Sequence, residues 1–225
     1  MDIAGHDMLN SNQAVLSYLE LIMAAPDVTP KTKKYAEKAV AHVRSSTMLV
    51  ENIRRLLAAR SLDLQSVKPV NILDAIARSE REVRAFFPAK KITVKMPSDA
   101  ADIYVAGESV AEYLVLNMLV TLVKLDLEEE IEIKVAIQES KVAGNQTWAI
   151  RMEDPNSQLP PGFNTQSIQS DDKKDVSVSV KMTGLLFSKM IAEDLGGKFE
   201  AQELVRQGER RGAALVVNLR KVMPP

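Results

Sequence analysis

The hydrophobic pattern divides the chain into two regimes. Residues 4 to 25 carry Met8, Val15, Leu19 and Ile22 at spacings of seven, four and three, a single stripe along a helix. At about 100° per residue, His6, Asn10, Gln13 and Ser17 fall on the opposite face. All four are polar, so His6 is predicted to face solvent. Pro26 stops this helix, and Thr29-Pro30 restarts one with an N-cap hydroxyl and a proline at the first helical position. The second helix runs to about residue 60 on a stripe of Ala36, Val40, Val43, Thr47, Val50, Ile53 and Leu57. Two such helices joined by a short turn make an antiparallel hairpin that still exposes one apolar seam. Pairing two hairpins into a four-helix bundle buries that seam, which predicts a homodimer.

From residue 61 the periodicity changes. Ser61 to Pro69 reads as a linker, giving domains of 1–62 and 63–225. Ile72 to Phe86 is predicted helical, Lys91 to Met96 alternates as a strand, and Ile103 to Ala106 is a short strand closed by Gly107. Glu108 to Leu125 is an apolar helix of the kind buried against a sheet. Glu130 to Ile137 and Thr147 to Met152 read as strands. Residues 155 to 180, with Pro160-Pro161-Gly162 and Asp171-Asp172-Lys173-Lys174, read as a long loop. Thr183 to Leu195 is predicted helical and stopped by Gly196-Gly197. Lys198 to Leu204 and Ala213 to Leu219 close the chain as a hairpin connected through Gln207-Gly208. The fold class is therefore α+β, a helical hairpin followed by an α/β sandwich.

Composition narrows the function. The 225 residues are 46% hydrophobic and 26% charged, ordinary for a soluble globular protein. A net charge of −1 offers no electrostatic case for nucleic acid or an anionic membrane. Having no cysteine removes disulfides, thiol nucleophiles and zinc–thiolate sites together, and fits a cytoplasmic protein. No apolar run approaches the roughly 18–20 residues of a spanning helix, so no membrane insertion is expected.

The chain has only two histidines, and they differ. His42 has no adjacent acid. His6 is followed by Asp7 and, one helical turn on, by Asn10 on the same face. A neutral imidazole is a competent nucleophile toward phosphorus, and an adjacent carboxylate can hold its other ring N–H. His6-Asp7-Met8-Leu9-Asn10, within a hairpin followed by a sandwich of this order, resembles the catalytic core of sensor histidine kinases over essentially the whole chain. The resemblance implies a dimerisation and histidine phosphotransfer domain, then an ATPase-like domain of the Bergerat fold in the GHKL class. It implies His6 as phosphoacceptor, aided by Asp7 and by Asn10 orienting a water or a partner's groups. Gln13 and Ser17 below it would belong to a docking ridge for receiver domains.

The nucleotide motifs have decayed. Tyr113 to Thr121 is similar to the family's asparagine box, with Asn117 at the first position but Thr121 where a metal-binding carboxamide is expected; Lys124 fits a basic position that follows. Asp154-Pro155-Asn156-Ser157-Gln158 keeps the acid implied to accept from adenine but lacks both glycines. Val180-Lys181-Met182-Thr183-Gly184-Leu185 keeps only Gly184 of a glycine-rich box. Backbone that approaches phosphate closely needs glycine, and bulky residues there cost about 1–3 kcal/mol each. No cofactor is therefore expected, with ATP and Mg²⁺ reserved for the kinase alternative, and no resident metal. The preferred expectation is a histidine phosphotransferase relaying phosphoryl groups between receiver aspartates, resembling bacterial phosphorelay proteins with a degenerate kinase fold. The alternatives are a working or fragmentary kinase core, its sensor lying upstream, and a non-catalytic dimeric scaffold or inhibitor.

Overall fold

The computed structural model describes residues 3–61, 68–97, 103–159, 176–206 and 209–224. Most of the predicted linker, the Pro160-Pro161-Gly162 break, the Asp171–Lys174 run and the Gln207-Gly208 connection lie outside these. The chain divides into two compact units, Met1–Leu57 and Ala58–Pro225.

The first unit is the helical hairpin, α1 (Ile3–Ala24) and α2 (Pro30–Ser61), whose last turn falls in the second unit. Thr29 Oγ1 accepts from Thr32 N at 3.1 Å, capping α2 as the Thr-Pro signal predicts. Between the helices, Asn12 Nδ2 donates to Thr47 Oγ1 at 3.2 Å and Ser46 Oγ at 3.3 Å. The predicted α1 stripe needs correction. The line turned toward α2 is Leu9, Leu16, Leu19 and Met23, half-buried, while Met8, Val15 and Ile22 stay exposed. One residue along a helix is a rotation of about 100°, and a single facing helix covers only one of the two lines. On α2, Ala36, Val40 and Val50 are buried, but Ile53 and Leu57 are exposed beside Leu49.

The second unit runs β1 (Pro69–Asn71), α3 (Ile72–Phe86), β2 (Lys91–Lys95), β3 (Tyr104–Ala106), α4 (Glu108–Leu125), β4 (Glu130–Val142), β5 (Asn145–Asp154), α5 (Val176–Asp194), β6 (Lys198–Arg206) and β7 (Glu209–Arg220). Its main sheet has the order β2-β4-β5-β7-β6, and β1 pairs β3 separately. Only β2–β4 is parallel among the main sheet's pairs. Alternation puts Ile131, Ile133 and Val135 of β4 on the same face as Ile150 and Met152 of β5, and Leu215 and Val217 of β7. Helices α3, α4 and α5 cover that face with Ile72, Ile76, Leu114, Met118, Leu122, Leu185 and Ile191, all essentially buried. The opposite face carries charge pairs, among them Lys95–Glu132, Arg151–Glu153 and Lys198–Glu200.

Several boundaries differ from expectation, the closing strands β6 and β7 running on to Arg206 and starting back at Glu209 among them. Strand β1 was not signalled, being only three residues long and beginning at a proline. Helix α5 begins at Val176, so the end of the expected loop is helical. The β4–β5 hairpin extends to a two-residue turn in which Ala143 (φ 49°) and Gly144 (φ 85°) both have positive φ. Such turns normally carry Asn or Asp first, and alanine gives no such signal. Alanine in the left-handed region costs about 1–2 kcal/mol. Ala143→Asn should therefore raise stability by roughly 0.5–1 kcal/mol, seen as a higher urea midpoint at unchanged m-value.

Candidate functional site

His6 stands on α1 in the first unit. Its side chain is 67% exposed and that of Asp7 72%. Asn10 Nδ2 lies 3.2 Å from His6 Nδ1, and Asp7 Oδ1 approaches the same nitrogen at 3.8 Å. The first is hydrogen-bond distance and the second an ion-pair approach. Both neighbours address Nδ1, so Nε2 is the ring nitrogen they leave open. Turning the Asn10 amide presents Oδ1 instead, which accepts from Nδ1–H and leaves the Nε2 lone pair outward. Gln13 and Ser17 are exposed, and Ser17 Oγ donates back to the Gln13 carbonyl at 3.1 Å. His42 is also exposed, on α2.

In the second unit the structure brings Asn117, Thr121 and Gly184 together and turns them inward. Asn117 is 1% exposed; its Nδ2 donates to the Gly184 carbonyl at 2.8 Å and to Ser188 Oγ at 2.9 Å. Thr121, also buried, donates its hydroxyl to the Asn117 carbonyl at 2.7 Å. A Cβ on Gly184 would collide with Thr121 Oγ1 and stand 3.7 Å from Asn117 Oδ1, which is buried without a partner. Gly184 is thus a point of close approach between α4 and α5. The segment aligned with the glycine-rich box, Val180 to Leu185, is backbone-helical within α5.

Asp154 ends β5 fully buried. Its Oδ1 accepts from Asn156 N at 2.9 Å and its Oδ2 from Ser157 Oγ at 2.7 Å, closing the turn after the strand. Burial raises its pKa, opposed by those two bonds and reinforced by Asp126. Ser188, Ser157 and Asp126 were not anticipated. The available signals were local: Ser188 lies one helical turn from Gly184, and Asp126 directly follows an apolar helix. Among the described residues, no group of three His, Cys, Asp or Glu side chains could hold a metal ion, and no helix is long and apolar enough to cross a membrane.

No family model matches the chain, and no curated protein does. Solved structures do. Full-length ShkA in complex with AMPPNP matches 98% of this chain at 16% identity and TM-score 0.60, and this chain covers 45% of that one. The histidine kinase AdeS of Acinetobacter baumannii matches 95% of this chain and 94% of its own, at 15% identity and TM-score 0.52. The mycobacterial sensor histidine kinase MprB matches 69% of this chain and 97% of its own, at 17% identity and TM-score 0.51. The chain has the fold of a sensor histidine kinase catalytic core, a helical hairpin followed by an ATPase-like sandwich.

The Gly184 approach is testable by a double-mutant cycle. Gly184→Ala should cost about 1–3 kcal/mol through overpacking. Thr121→Ala in the same chain removes the colliding hydroxyl and should recover most of that loss. Urea unfolding of the four proteins measures the coupling; additive effects would place the collision elsewhere.

Proposed function

We propose that this chain is a histidine phosphotransferase of two-component signalling, relaying a phosphoryl group between receiver-domain aspartates through His6, with little or no ATP binding. The observation that carries this is a contrast in exposure. His6 presents an open Nε2 to solvent, while Asn117, Thr121 and Asp154 spend their hydrogen bonds within the fold. The residues that would hold ATP–Mg²⁺ fit it poorly: the Asn117 Nδ2 is committed to α5, leaving only its buried Oδ1 unpartnered, the Thr121 hydroxyl is committed to its own helix, and both Asp154 oxygens to a turn. In the transfer, the Nε2 lone pair attacks phosphorus, the P–O bond to the donor aspartate breaks, and its carboxylate leaves with the electron pair. Nδ1–H stays held by Oδ1 of the turned Asn10 amide, with the Asp7 carboxylate 3.8 Å away, and attack by a second receiver's carboxylate reverses the step.

A second copy would cover the exposed apolar lines, Met8, Val15 and Ile22 on α1 with Leu49, Ile53 and Leu57 on α2. A kinase reading draws on the ShkA likeness, since that structure was solved with AMPPNP over a fold matching 98% of this chain.

Incubation with phosphorylated receivers should put an acid-labile label on the wild type and on His42→Ala, and none on His6→Ala. Asn10→Ala should slow transfer about fivefold, the worth of a ~1 kcal/mol hydrogen bond. Titration with ATP–Mg²⁺ should show no saturable binding; tight binding with His6-dependent labelling would establish the kinase instead. Sedimentation should find a dimer that Val15→Glu and Ile22→Glu together convert to monomer.

A further inference from the structure

The main sheet ends on one side at β2, and side chains of α3 meet that edge. Strand β2 is parallel to β4, and Lys91 N donates to the Glu129 carbonyl at 2.7 Å. Backbone groups of Lys91, Thr93 and Lys95 therefore turn toward β4, and those of Ile92 and Val94 point away from the sheet. Arg84 Nε donates to the Ile92 carbonyl at 2.9 Å, and Glu80 Oε1 accepts from Val94 N at 3.0 Å. The same Glu80 oxygen accepts from Arg84 Nη2 at 2.7 Å, so the two side chains act as one unit. One residue of a parallel sixth strand would make the same two bonds, its N–H donating to residue 92 and its carbonyl accepting from residue 94. A donor and an acceptor one helical turn apart on α3 occupy that residue's place.

Other protections that sheet edges carry are weak at β2. Exposed edges are usually blunted by a bulge, a proline or outward lysine charge. At the opposite edge, β6 has a register shift between Glu203 and Val205. Strand β2 keeps unbroken register with β4 from Lys91 to Lys95 and contains no proline. Its lysines are paired, Lys91 with Glu130 at 3.3 Å and Lys95 with Glu132 at 2.7 Å, which offsets the charge that would repel another strand. Ile92, Thr93 and Val94 between them are all β-branched, the type that favours strand pairing.

We propose that the Glu80–Arg84 pair is an edge guard, standing in for one strand residue and barring β2 from adding a second copy of this chain to the sheet. The occupant it excludes follows from the strand itself. A two-fold axis through Thr93 would pair Ile92 of one copy with Val94 of the other, antiparallel, each pair exchanging both backbone bonds. That register sets Lys91 opposite Lys95, each already paired within its own sheet. It also uses the Ile92 carbonyl and the Val94 N–H, the two groups that Arg84 and Glu80 hold. Guard and second copy are thus mutually exclusive. The inference stands apart from the chemistry of His6 and from the apolar seam of the hairpin.

Sedimentation and amide hydrogen exchange of the full chain test this. Glu80→Ala with Arg84→Ala removes the guard at no cost in helix propensity. The double variant should form a species larger than the wild type's as concentration rises, while Glu80→Gln, which keeps the acceptor, should stay at wild-type size. In dilute Glu80→Ala the Val94 amide should exchange about tenfold faster than in the wild type, with the β4 amides unchanged. In the assembled double variant the Ile92 and Val94 amides should both be protected. If the double variant does not fold, the two single alanine variants carry the comparison. A Val94 amide unmoved by Glu80→Ala, a folded double variant that stays at wild-type size, or an assembly that leaves the Ile92 amide unprotected overturns the proposal.

Discussion

The second unit depends on how closely α4 can approach α5. Helix α4 is apolar almost throughout, so it can be stable only when enclosed by α3, α5 and the sheet. Enclosure strands two of its polar side chains, Asn117 and Thr121, where water cannot reach them. Thr121 returns its hydroxyl to its own helix, and the Asn117 Nδ2 is satisfied because α5 comes near enough for it to reach both the Gly184 carbonyl and Ser188, with no Cβ on residue 184 to prevent it. With a side chain there, α5 would stand off, Asn117 would lose both acceptors, and the cover that Leu185 and Ile191 give the sheet would loosen.

This arrangement gives Asn117, Thr121 and Asp154 mechanical roles within the second unit. The hydrogen bonds of a carboxamide bridging two helices, a hydroxyl returned to its own helix and a carboxylate closing a turn each offset part of the cost of burying those groups. On α1 the exposed His6 imidazole has a neighbour at one ring nitrogen and the other open.

Much of the architecture was legible because burial imposes period. The apolar run of Glu108–Leu125 matched a helix to the residue, and alternation located β2 and the first part of β4. Thr29-Pro30 marked the start of α2. The misses share a cause: the controlling interaction was not local. Gln138 to Val142 extends β4 because β5 pairs with it, although half-exposed polar residues show no strand signal. Which of the two α1 apolar lines faces α2 cannot be read from one helix, because both satisfy the period. For the candidate site, residue types singled out His6, Asp7 and Asn10, and the geometry places Asn10 Nδ2 and Asp7 Oδ1 both toward Nδ1. Asp126 went unnoticed because an acid after a helix looks like an ordinary solvated end; only the fold brings β5 against it.

The outward line on α1 has a consequence for whatever packs along it. Met8, Val15 and Ile22 recur every seven residues, whereas a straight α-helix needs slightly more than that to complete two turns. The line drifts by about 20° per repeat around the helix axis. A straight partner would meet Met8 and miss Ile22. Continuous contact requires the two helices to wind gently about each other with a left-handed twist, so the spacing of three side chains sets the handedness of any assembly built on this face.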